Sequence, residues 1–415
     1  MELIKESKQI PLSAFFDAYY LCRKRKRGTT NALKFEQNYR ENLVKLWEEV
    51  NTRTYKISRS ITFIVTRPKP REVFAADFRD RVIHHIIMLD LEPLFEQEFI
   101  DDCYSCRKGR GTLFGVQRLY DKIKEFSCNY TKDCYIGKFD IKGFFMNINK
   151  TMLHKKLKSF IEEKYTGDHK ELLQYLVRKT VIHKPQENCI RKDPVSKWSL
   201  LPPEKSLFTC DANSGLPIGN LTSQCFANFY LNDFDHWMSE MFNGYYGRYV
   251  DDFYVIARTK EEITSKIKEI EKYLKENLGL TLHDKKRYVQ PYYKGVTFIG
   301  TYIRKNIIKL GNRSLGNLYS VIHRFNKMDP TPENVLEFSQ ILNSYLGFMR
   351  HGDSKARRAK IWNKLSFRVW KDNGIFFIDK NFTKISVNPK KLRSYYIKQK
   401  LKNHEEITEM DLGYI

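Results

Sequence analysis

Residues 248–257, "RYVDDFYVIA", set two adjacent carboxylates, Asp251 and Asp252, inside a run of valine, isoleucine, tyrosine and phenylalanine. β-Branched and aromatic residues favour extended structure, and Gly244 and Gly247 upstream are turn signals, so the stretch predicts a β-hairpin with the acids at or near its tip. Consecutive strand side chains point to opposite faces, so the two acids serve one site only if the backbone bends between them. Neighbouring carboxylates also repel, and each tends to take up a proton unless a cation sits between them. On this segment alone an exposed acidic turn is an equally good account, and the rest of the chain has to decide.

The chain has 415 residues, 41% hydrophobic and 14% aromatic, enough for a substantial core and two or three domains. Its 73 Lys and Arg against 49 Asp and Glu leave a formal charge of +24, which points to a polyanionic partner. No apolar stretch approaches the roughly 18 residues of a membrane span, and "MELIKESKQIPLSAFF" lacks the basic-apolar-small pattern of a signal segment. The expectation is a cytoplasmic protein with no membrane partner. Eight cysteines at irregular positions fit a reducing compartment. Cys103 and Cys106 form a CxxC, but a zinc site needs a second pair, and Cys128 and Cys134 are too far apart to supply one cleanly.

Along the chain, residues 13–52 read as helical, interrupted by the basic run Arg23–Gly28, a solvated or RNA-facing surface. "YKISRSITFIVTRPKPREVFAA" reads as two strands. Pro68 and Pro70 beside Lys69 and Arg71 argue that the second strand lies at an edge. A helix follows, with Val82, Ile86 and Leu89 on its stripe and Pro93 at its end. "CYIGKFDIKGFF" is a strand ending on Asp140. Residues 150–184 read as helical, and the proline-rich stretch after them as a long loop or loose insert. "GLPIGN" makes a turn with Asn220 as N-cap of a helix carrying Phe226, Tyr230, Phe234, Trp237 and Met241 on its core face. A charged helix over 260–277 and strands broken by Pro291 and Gly295 follow. From about residue 304 the chain reads as helical, with Thr331 and Pro332 opening a helix whose face is Val335, Phe338, Leu342, Tyr345 and Met349. "NPKKLRSYYIKQKLKN" interleaves charge with Tyr395 and Tyr396, as either a surface helix or a nucleic-acid surface would.

An acid ending one strand and two at a hairpin tip, in a polyanion-binding chain, suggest two-metal phosphoryl transfer with oxygen ligands suited to Mg²⁺. In that order the segments resemble the reverse transcriptases. "FDIKGFF" is similar to their motif A, "GLPIGNLTSQCFANFYL" to motif B, "YVDD" to motif C, "LHDKK" to motif D and "VTFIG" to motif E. "RPKPREVFAADFRDR" resembles their fingers block, and "FIDDCYSCRKGRGT" the segment preceding motif A in bacterial branches.

The resemblance implies an α+β right-hand polymerase, its palm an antiparallel sheet flanked by helices, its thumb helical. N-terminal helices and fingers would occupy 1–85, the first palm part 86–145, further fingers and an insert 146–215, the second palm part 216–303, and the thumb and tail 304–415. Asp140 and Asp251 would ligate two Mg²⁺ ions, or Mn²⁺ in their place, with the Ile141 carbonyl contributing and Asp252 completing the cluster. Arg71 and Lys69 would clamp the incoming dNTP, and Phe145 would exclude a ribose 2′-hydroxyl. Lys286, with Lys285 as the competing choice, would donate a proton to pyrophosphate. Arg79, Arg107, Lys108, Arg110, Tyr249, Lys390, Lys391 and Arg393 are the expected contacts to template RNA and the cDNA duplex.

Motif B departs from the usual Gln-Gly and Ser-Pro pairs, reading Ile218-Gly219 and Ser223-Gln224. "IGNLTSQ", with "LNSYLGFMRHG" further on, looks like the branch in diversity-generating retroelements. That likeness implies adenine-mutagenised cDNA and a small basic oligomeric accessory protein. Exchanging a polar amide for a branched apolar chain beside Gly219 and Gln224 would remove a hydrogen bond near the nascent base pair and loosen selection. A retron, a defence-associated or group II intron-like enzyme, and a non-catalytic RNA-binding scaffold are the alternative readings.

Overall fold

The computed structural model describes residues 8–24, 28–66, 69–352, 354–364 and 368–407. Half of the Arg23–Gly28 run, Arg25–Arg27, lies outside them, together with Arg67 and Pro68. The chain divides into two compact units, one of Met1–Gly115 with Tyr135–Gln290, the other of Val116–Cys134 with Pro291–Ile415.

In the first unit, helices Leu12–Arg23, Thr30–Gln37 and Tyr39–Asn51 precede strands β1 (Ser60–Val65) and β2 (Arg71–Ala75). These pair antiparallel, with β2 at the sheet edge as its prolines led us to expect. The central sheet uses β3 (Tyr135–Asp140). A further strand, β4 (Cys189–Arg191), pairs parallel with β1, so the stretch expected to be a loose insert is tied into the β1–β2 sheet. Buried Glu72 on β2 anchors it further, accepting from Ser206 Oγ and the Leu207 N–H. Proline content hid this because parallel pairing leaves no local turn signal. Strands β5 (Tyr246–Tyr249), β6 (Asp252–Ala257) and β7 (Tyr288–Pro291) complete the central sheet in the order β5-β6-β3-β7. β6 pairs antiparallel with β5 and with β3, in a register that sets Asp140 opposite Asp252.

The helix Phe78–Glu98 supplies the main packing stripe of this unit, through Val82, Ile83, Ile86, Ile87, Leu91 and Phe95. Two expectations about it fail. Pro93 lies within the helix rather than at its end, and Leu89 is exposed. Burial of Phe95 beyond the proline keeps the helix going despite the missing N–H. The motif B helix is likewise two helices, Leu221–Tyr230 and Asn232–Met241. Asn220 stands at the N-cap position but does not cap; its Oδ1 accepts from the Ala76 N–H at 3.2 Å. Lys260–Leu278 behaves as its sequence indicates, capped by Thr259 and closed by Gly279 at φ +64.

His84 on Phe78–Glu98 is buried, its Nδ1 has no hydrogen-bond partner among the described residues, and burial pushes its pKa down to about 3. Below the unfolded value of roughly 6.5 the unfolded chain binds a proton that the native state refuses, so stability is lost as pH falls. Parent and His84→Met should therefore diverge between pH 6.5 and 4 by ~1.4 kcal/mol per pH unit, the parent losing more. Denaturant unfolding at stepped pH measures this, and parallel curves would refute it.

The second unit has its own core, formed by Leu318, Ile322, Phe325, Phe338, Leu342 and Trp370 among others. Thr331 caps the helix Pro332–Met349, and Val335, Phe338, Leu342 and Met349 are buried as expected. Strands form before residue 304 as expected, but the chain after it is not purely helical. Strands β8 (Val296–Phe298), β9 (Thr301–Arg304) and β10 (Ile307–Leu310) form an antiparallel sheet, and β11 (Phe376–Ile378) pairs with β12 (Ile385–Val387). No helix among the described residues is long and apolar enough to cross a membrane.

Candidate active site

The hairpin β5–β6 turns through Val250, whose φ of +60 breaks strand alternation between Tyr249 and Asp252. The bend precedes Asp251 rather than falling between the two acids, leaving Asp251 in the turn and Asp252 on β6. The Ile141 N–H donates to the Asp251 carbonyl at 3.0 Å, which ties the end of β3 to the turn. Asp140 and Asp251, 111 positions apart in sequence, thereby sit in one electrostatic environment. Burial raises the Asp251 pKa first and the Asp140 charge raises it further, while Lys286 and Arg71 act in the opposite sense.

Two cations hold the acids. Lys286 Nζ lies 2.7 Å from Asp140 Oδ1, and Lys138 Nζ lies 2.8 Å from Asp252 Oδ1. Burial pushes the Asp252 pKa up to about 6 against the pull of Lys138. Asp140 and Asp251 lie within electrostatic reach of each other and of Lys286, and carboxylate oxygens are the donors that a hard divalent cation takes. The expected three-acid cluster is only partly gathered. Among the described residues no three His, Cys, Asp or Glu side chains come together closely enough to hold an ion, and Asp252 is taken up by Lys138. Of the two motif D candidates, Lys286 pairs with Asp140, whereas Lys285 donates its backbone N–H to His283 Nδ1.

Arg71 begins β2 on an exposed position, and Lys69 is exposed in the preceding loop. Ile218 and Gly219 pack on that strand. The Phe74 N–H donates to the Ile218 carbonyl at 2.9 Å, and Gly219 has φ +118, with any Cβ only 2.9 Å from Val73 Cγ1. Glycine is therefore required where this turn meets the strand. The half-buried Ile218 and Phe145 side chains pack against one apolar cluster of Phe74, Met146 and Leu207. Gln224 is exposed, and its Oε1 accepts from Cys106 Sγ at 3.3 Å.

The expected nucleic-acid contacts divide. Arg107 is buried, doubly bonded to Glu96 and donating to the Ile100 and Cys103 carbonyls, so it cannot reach a nucleic acid. Arg79 pairs with Glu49 and lies over the Tyr55 ring, which commits it to the fold. Lys108 and Arg110 pair with Glu92 and Asp101 at the surface. Tyr249 is half-buried, opposite Asp252 in the ladder. Lys390, Lys391 and Arg393 lie exposed on the helix Pro389–Lys402, whose Leu392 is buried.

Sequence reading missed Lys138, although its position two before Asp140 puts it on the same strand face. It also missed the fully buried Arg248–Asp235 pair beneath the turn, for which no local signal exists.

A small antiparallel sheet with acids at adjoining strand ends, edged by helices, is the α+β palm of a right-hand polymerase. The chain belongs to the reverse transcriptase family, since the family model described as reverse transcriptase (RNA-dependent DNA polymerase) matches residues 67–303, more than half of it. Protein YkfC of Escherichia coli K12 is 21% identical over 255 residues, 54% of this chain. The chain spans 60% of the length of that relative. Similar solved structures include a C-terminally truncated apo telomerase from Candida tropicalis, at 12% identity, TM-score 0.44, 61% of this chain and 55% of that one. Another is Candida albicans telomerase with a telomeric RNA fragment, at 12% identity, TM-score 0.44, 83% of this chain and 61% of that one.

Proposed function

We propose that this chain is an RNA-directed DNA polymerase that copies a template RNA into cDNA, and that it serves a diversity-generating retroelement with errors concentrated at adenines. The observation that carries the polymerase reading is the tie between Ile141 and Asp251, which brings acids 111 positions apart within electrostatic reach of each other and of Lys286 and Arg71. Asp140, Asp251 and the Ile141 carbonyl would hold two Mg²⁺ ions, or Mn²⁺, with Asp252 as the neighbouring acid. Such ions, when bound, activate the attacking 3′-hydroxyl and neutralise charge on the departing pyrophosphate.

The remaining work falls to side chains. Arg71, helped by Lys69, orients the triphosphate of the dNTP. Lys286, once released from Asp140, supplies a proton to pyrophosphate. Phe145, backed by the cluster it shares with Ile218, stands against a ribose 2′-hydroxyl. Ile218 offers no hydrogen bond beside the nascent pair, which supports relaxed selection. We assign fingers and palm to residues 1–303 and the thumb and tail to 304–415. Residues 291–415 carry 23 Lys and Arg against 10 Asp and Glu, a charge suited to a template–cDNA duplex and not to a small basic accessory protein, which would dock elsewhere.

The test is primer extension on a defined RNA template with Mg²⁺ and dNTPs, followed by sequencing. The parent should extend with dNTPs and misincorporate mainly opposite template adenine, and Ile218→Gln should lower that bias. Absence of extension would refute the polymerase reading, and an error spectrum without adenine bias would refute the retroelement reading.

A further inference from the structure

Val250 is a β-branched residue in the left-handed region, a conformation that its own sterics oppose. Something must hold it there, and both of its backbone polar groups are held by side chains rather than by a ladder. Its N–H donates to Ser105 Oγ at 3.2 Å, and its carbonyl accepts from Arg248 Nη1 at 2.8 Å. Neither holder is loose. Ser105 is buried, donates to Asn228 Oδ1 at 2.9 Å and receives the Asn228 Nδ2 on its carbonyl at 2.7 Å. Arg248 is locked by Asp235, which also accepts from Tyr246. The next residue in the chain is Asp251.

We propose that Ser105 is a positioning residue for Asp251. By accepting the Val250 N–H it keeps the hairpin turn in its strained form, and that form determines where the Asp251 carboxylate sits relative to Asp140. Without it, Val250 relaxes toward extended backbone and the following side chain swings with the peptide. Segment 102–106 is placed for this task, because the Arg248 N–H donates to the Asp102 carbonyl and the Tyr104 N–H to the Arg248 carbonyl, running it alongside β5. The inference rests on the polymerase reading and deepens it, since it names a residue outside the matched carboxylates that governs their geometry.

The experiment compares the parent with Ser105→Ala, Ser105→Thr, Ser105→Ala/Val250→Gly and Asp251→Asn. Three readouts are taken on the full chain: Mn²⁺ binding by electron paramagnetic resonance, kcat and dNTP KM in primer extension, and Tm. Ser105→Ala should weaken Mn²⁺ binding about fivefold and lower kcat about tenfold with KM unchanged, Ser105→Thr should keep near-parent values, and Val250→Gly should restore the alanine variant. Glycine adopts φ +60 without strain, so it needs no holder. If Ser105→Ala lowers only Tm and leaves Mn²⁺ affinity and kcat in place, or if glycine fails to restore them, the positioning role is overturned. Should that happen while Asp251→Asn still abolishes extension, the polymerase reading stands and this inference alone falls. A parent that makes no DNA takes both down.

Discussion

Replacing Asp251 with asparagine is expected to abolish primer extension, by at least ~1000-fold, while the Tm stays level or rises. The two effects separate because the carboxylate is a liability to the fold itself. It is half-buried, and burial together with the Asp140 charge raises its pKa. A neutral amide of the same shape removes that repulsion, so stability has nothing to lose. The turn itself survives, because it is tied through the backbone carbonyl of residue 251 to the Ile141 N–H rather than through the side chain. Activity has no such tolerance, since an amide oxygen carries no full charge with which to hold a divalent cation. Asp140→Asn should behave alike, as it frees only Lys286, a half-exposed partner whose surface ion pair is worth little. Steady-state extension and calorimetry on the same preparations decide the matter. Activity within tenfold of the parent would remove Asp251 from the reaction, and a large fall in Tm would make it a structural acid.

How far the sequence revealed this arrangement depended on the range of the interaction. Local patterns were legible: the apolar alternation of β3, the hairpin at Val250, the cap at Thr331 and the edge prolines beside β2 each follow from residues within one element. The candidate acids were legible because their spacing in ordered motifs stands in for a contact that the fold alone creates. What stayed hidden were partnerships between distant side chains. Asp252 with Lys138 depends on strand register, and β4 beside β1 joins positions about 130 apart in the chain. Charge was the weakest guide. Arg107 and Lys390 look equivalent in sequence, yet one is buried against Glu96 and the other is exposed. A basic residue reads as a nucleic-acid contact only until its neighbours in space are known.

Arg248→Met is expected to cost ~3–5 kcal/mol of stability, lowering Tm by about 10 °C, because it strands a buried carboxylate. Arg248 and Asp235 are both fully buried, and apart from the arginine Asp235 has the Tyr246 hydroxyl to meet its charge. Removing both charges together should behave differently. In Asp235→Leu/Arg248→Met no uncompensated charge remains, and well-packed apolar replacements of a buried pair are commonly neutral or stabilising. The double variant should recover most of the lost Tm. It should not recover activity, because the Val250 carbonyl still lacks the donor that Arg248 Nη1 provides at 2.8 Å, and the turn bearing Asp251 is held from one side only. Extension at least ~10-fold below the parent in a chain of near-parent Tm is the expected result. Recovery of both together would mean that the pair serves stability alone. Loss of both, undiminished in the double variant, would mean that packing around Cys103, Asn228 and Tyr246 tolerates no substitute for the guanidinium.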